Sequence, residues 1–123
     1  MPQLNLLELI SDDLIPVRKV QHEIINNFVV LKFKNSKKGF IDKLFFKNKK
    51  EVTYKIDLDE IGSFIWLLID GKKSVNSLIN FTSEKFGEKV EPVDQRVKLF
   101  LKQMNDNHLI ILFKKEENKS INS

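Results

Sequence analysis

The chain has 123 residues, 41% hydrophobic and 31% charged, the size and balance of one soluble globular domain with a modest core. It has no cysteine, which excludes a disulfide framework, a thiolate metal site and a cysteine nucleophile. No apolar run approaches the roughly 20 residues that a membrane span needs. The net charge of +4 and the pI of 9.2 leave nucleic acid, an acidic membrane and an acidic peptide as candidate partners.

The opening, MPQLNLLELISDDLIP, is acidic and lacks the positive leading region of a secretory signal. Residues 1–14 have the spacing of a short amphipathic helix through Leu4, Leu7, Ile10 and Leu14, which Pro16 brings to an end. EIINNFVVLKFK then reads as a hairpin turning on Asn26-Asn27, because asparagine tolerates the left-handed backbone of a tight turn. The connection 35–50 sits in a basic stretch. From Lys32 to Lys50 eight lysines face the single Asp42, with Phe40, Ile41, Leu44, Phe45 and Phe46 embedded among them. VTYKIDL, 52–58, alternates cleanly, with Val52, Tyr54, Ile56 and Leu58 expected on one buried face.

The period then changes from two to 3.6. Asp59 is a good N-cap for a helix with Ile61, Phe64, Ile65, Leu68 and Ile69 on its apolar face, and Asp70-Gly71 stops it. Ser74 caps a second helix with an inner face of Val75, Leu78, Ile79, Thr82 and Phe86, closed by Gly87. Pro92 suits the first turn of a third, whose core stripe is Val93, Val97, Phe100, Leu101 and Met104. LIILF at 109–113 has the composition of a further strand, and the polar tail 114–123 is expected to be disordered. The fold expected is α+β and winged-helix-like: a small antiparallel three-stranded sheet followed by a three-helix bundle, in one domain over 15–113.

Little in this order points to catalysis. Only His22 and His108 are present, far apart and without metal-ligand spacing. Ser63 lacks the glycine-flanked turn of a nucleophile elbow, and Ser74 is explained as a cap. Asp57, Asp59 and Glu60 complement the positive end of a helix. Gly39, Gly62, Gly71 and Gly87 are isolated and build no phosphate loop. Gly62 within a helix marks close packing. Nucleic-acid binding is the rival reading, favoured by the basic pI. Against it, Glu88, Glu91 and Asp94 approach the third helix, and Lys98 lies about 200° around that helix from Arg96.

The ordered set Asp70-Gly71, Ser74-Val75, Phe86-Gly87 and Val97 to Leu101 resembles the PqqD family, named from pyrroloquinoline quinone biosynthesis. The resemblance covers roughly residues 15–112 and is strongest over 58–110. It implies a non-enzymatic cytoplasmic protein without a cofactor or metal. Such a protein recognises the leader of a ribosomally made precursor peptide and presents it to a modifying enzyme, often a radical S-adenosylmethionine protein. It further implies that the leader lies as an added strand along the third strand and against the third helix. The residues expected to hold it are Val52, Thr53, Tyr54, Lys55 and Ile56 of the strand, and Arg96, Leu99, Phe100 and Gln103 of the helix. The Lys-rich link is longer than in compact members, so the quinone precursor is not singled out. An open strand edge also permits a monomer or a strand-exchanged dimer.

Overall fold

A computed structural model describes residues 10–34 and 53–114, and the period change at Asp57 is where strand gives way to helix. The strands are β1 (Leu14–Arg18), β2 (Gln21–Ile25), β3 (Phe28–Lys34), β4 (Thr53–Asp57) and β5 (Ile110–Lys114). The helices are α1 (Glu60–Leu68), α2 (Val75–Phe86) and α3 (Val93–Asp106), with a 3-10 turn at Gly87–Val90 between the last two. The architecture is α+β: an antiparallel three-stranded sheet in the order β2-β3-β4, and three helices. A second, two-stranded sheet pairs β1 with β5.

The turn signals act where expected. Asn26 and Asn27 take φ of 54° and 71°, the left-handed pair that lets a two-residue loop follow the strand twist. Asp59 Oδ1 accepts the Gly62 N–H at 2.7 Å, and Ser74 Oγ accepts the Ser77 N–H at 3.2 Å. Gly71 and Gly87 both lie at positive φ, 80° and 58°. Pro92 precedes α3 by one residue instead of opening it.

Two expectations are corrected. Leu14 begins β1 and does not end a helix; the rest of the expected N-terminal helix, residues 1–9, lies outside the described residues. Pro16 sits inside β1 opposite Leu112, which a proline can do because among the described residues β1 has a partner on one side only. Tyr54 does not share the burial of Leu58. It is 42% exposed and stacks on Phe33, with ring centroids 5.6 Å apart. The connection 35–50 and the tail from residue 115 also lie outside the described residues.

The core gathers around Trp66, which is fully buried among Ile65, Ile69, Val29, Leu31, Leu78 and Leu101. It displaces Phe64 from the expected inner face of α1; Phe64 is half-buried and meets Phe86 edge-on at 5.3 Å. The Trp66 Nε1–H donates to His22 Nδ1 at 3.2 Å, so the one polar atom of this buried indole has an acceptor. Ser63 fastens the hairpin to α1. Its hydroxyl accepts the Val29 N–H at 2.8 Å and donates to Leu58 O at 3.3 Å, both in the interior.

Candidate functional site

Among the described residues β4 is an end strand, paired with β3 alone. The Leu58 N–H donates to Val29 O at 2.9 Å, continuing the β3–β4 register by one residue. Bonded and non-bonded pairs alternate along antiparallel strands, so Leu31–Ile56 and Phe33–Tyr54 are the bonded pairs. The N–H and C=O groups of Thr53, Lys55 and Asp57 therefore point to the open side of the sheet. Such a row is a template for one more strand.

A groove of about 510 Å³ runs beside this edge. One wall is Ile56–Asp59 with Ile61, Gly62 and Ile65 of α1, and the other is Arg96, Leu99, Phe100, Gln103 and Met104 of α3. Gly62 sets how closely the walls meet. A Cβ there would lie 3.1 Å from Asp59 Oδ1 and 3.2 Å from the Phe100 ring, tighter than ordinary contact. The glycine inside α1, unfavourable for the helix itself, lets the Phe100 ring form the floor.

The groove's side chains are largely uncommitted. Arg96, Leu99 and Gln103 lie on one face of α3 and are exposed, Leu99 by 47%. The side chains of Arg96 and Gln103 make no hydrogen bond or ion pair with the described residues. The other cations of α3 are engaged: Lys98 pairs with Asp12 at 2.7 Å and Lys102 with Asp106. Asp57 and Asp59 lie across from Arg96, Asp59 already holding the α1 N-terminus. The groove thus offers one guanidinium, one carboxamide, an apolar floor and an open backbone edge. That set has the chemistry to bind and orient a chain, and among the described residues it contains no nucleophile–base pair.

The expected site residues divide accordingly. Ile56, Arg96, Leu99, Phe100 and Gln103 converge on the groove. Lys55 is exposed opposite Lys32, and contributes to the site through its backbone. Tyr54 stacks on Phe33, and Thr53 lines a different cavity. Val52 lies outside the described residues. Ile61, Gly62 and Met104 were read as packing positions and not as site residues, and the signal for their place in the groove was the glycine inside a helix. Among the described residues, no group of three or more His, Asp or Glu could hold a metal ion, and no helix is long and apolar enough to cross a membrane.

Residues 51–110 match the family model described as Coenzyme PQQ synthesis protein D (PqqD), and the chain is PqqD-like over this segment. The match begins just before β4 and ends at the first residue of β5, so it takes in both walls of the groove. No curated protein and no solved structure matches the chain.

Proposed function

We propose that this PqqD-like chain is a non-catalytic peptide-binding adaptor in the maturation of a ribosomally made precursor. It holds the leader as an added strand along β4, against α3, and presents the rest of the precursor to a modifying enzyme. A radical S-adenosylmethionine maturase is the partner the family resemblance implies. The observation that carries this reading is the open edge of Thr53–Asp57 beside a groove whose Arg96, Leu99 and Gln103 are exposed and uncommitted. Backbone pairing supplies affinity with little demand on sequence; the gap between Ile56 and Phe100, together with Arg96, selects an apolar side chain and a neighbouring carboxylate.

The nucleic-acid alternative is not favoured. α3 would be the reading helix, and with Lys98 and Lys102 tied to aspartates it presents Arg96 alone. Amide hydrogen exchange tests the proposal. With short precursor peptides encoded beside the gene, the Lys55 and Asp57 amides gain protection when one binds. Protection elsewhere with no change at these two amides would contradict strand addition.

A further inference from the structure

Gly71 and Gly87 lie at positive φ, where the turn itself favours glycine. Gly62 does not: it sits inside α1 on ordinary helical backbone that any residue adopts. A glycine there costs helix stability relative to alanine, so what it supplies is the missing side chain. A Cβ at this position would meet Leu58 Cβ at 3.6 Å, an ordinary contact, Asp59 Oδ1 at 3.1 Å and the Phe100 ring at 3.2 Å. The Asp59 carboxylate is held in place by the Gly62 N–H at 2.7 Å. The Phe100 ring is half-buried, and its neighbours Val97 and Leu101, fully buried, fix that stretch of α3 in the core. The ring is therefore the group that yields to a side chain at position 62, and it yields into the groove that it lines.

The position of that ring decides how deep the groove is. Ile56, Ile61, Ile65, Leu99 and Met104 complete an apolar lining around it. Backbone pairing along β4 needs no such depth. A small side chain in a deep apolar slot leaves a void and forfeits dispersion contacts, whereas one that fills the slot gains them. With the groove reading above as its premise, we propose that Gly62 determines the size of the side chain that the groove takes. It is a positioning residue and acts through Phe100. With the ring held back, the bound peptide inserts one bulky apolar side chain, of leucine or phenylalanine size, between α1 and α3.

The test is amide NMR of the isotope-labelled full chain with N-acetyl-phenylalaninamide and N-acetyl-alaninamide, single residues that probe the slot without a strand. The phenylalanine probe is expected to shift the Gly62, Leu99 and Met104 amides saturably, and the alanine probe to leave them in place. Gly62→Ala should weaken the phenylalanine probe about tenfold, and adding Phe100→Leu should restore it. Both changes are read as affinity, and the spectrum without probe reports whether each variant is folded. If Gly62→Ala does not fold, Phe100→Leu alone decides. It widens the slot and should tighten N-acetyl-tryptophanamide relative to the phenylalanine probe. Equal response to the phenylalanine and alanine probes would overturn the proposal. So would undiminished binding in Gly62→Ala, no rescue by Phe100→Leu, or no gain for the tryptophan probe in Phe100→Leu. Silence at the Lys55 and Asp57 amides with every encoded peptide would instead overturn the groove reading, so the two failures are distinct.

Discussion

The corner Leu58–Val75 and the groove beside β4 share α1, yet treat their polar groups in opposite ways. In the corner Asp59, Ser63, Asp70 and Ser74 are spent on the chain itself. Asp59 caps α1, and Ser63 bridges Val29 and Leu58. Asp70 accepts the Lys72 and Lys73 N–H groups at 2.8 and 2.9 Å and pairs with the Lys73 ammonium at 2.7 Å. That ammonium, with the two N–H groups, holds the Asp70 carboxyl well below the usual carboxylate range. In the groove Arg96, Leu99 and Gln103 face solvent without partners among the described residues, which also leave the outer side of β4 unpaired. Satisfied groups fix a geometry, and in the proposed reading the open ones receive the peptide. Mutations should therefore separate stability from binding.

The largest effect is expected at the centre of the corner. Trp66→Ala empties a fully buried site and should cost about 3–5 kcal/mol in urea unfolding. Ser63→Ala should cost about 1–3 kcal/mol in the same measurement, because it leaves the Val29 N–H in the interior without an acceptor. Leu99→Ala reverses the pattern. Its stability should stay within about 0.5 kcal/mol of the parent, while peptide affinity by calorimetry falls by about 1–2 kcal/mol. Arg96→Glu should likewise spare the fold and weaken an acidic leader several-fold; unchanged affinity would remove Arg96 from the site.

The smallest effect is a pH dependence beneath the corner. Desolvation, with the nearby Arg18 charge, holds His22 below the ordinary histidine value of 6.5. Its neutral ring accepts the Trp66 Nε1–H, and a proton on Nδ1 would end that bond. The folded chain takes up this proton less readily than the unfolded one. The contribution is therefore complete above pH 6.5 and lost as pH falls through the lower folded value. The urea midpoint should drop between about pH 7.5 and 5.5, and less so in His22→Gln.

The corner was legible because its signals are local. Asn26-Asn27, Asp59, Gly71, Ser74 and Gly87 each act within a few residues of their own position, and the backbone shows each at work. What the sequence hid is long-range. The Val29–Ser63 bond spans 34 residues, and nothing near Ser63 announces it. β1 was masked by Pro16, whose place in a strand depends on β5 arriving from the far end of the chain. Half of the groove was readable from the face shared by Arg96, Leu99 and Gln103. Tyr54 was misplaced because alternation gives the face of a side chain and not how far the helices extend over it. The cavity that Thr53 lines joins four separate stretches of chain, and no single stretch carries its pattern.

The most direct measurement is an amide NMR titration of the labelled chain, once with the encoded peptides and once with random duplex DNA. Shifts centred on residues 53–57 and 96–103 with peptide, and none with DNA, are the expected result. Shifts with DNA centred on the lysines of 32–50, and silence along β4 and α3 with every peptide, would contradict the account.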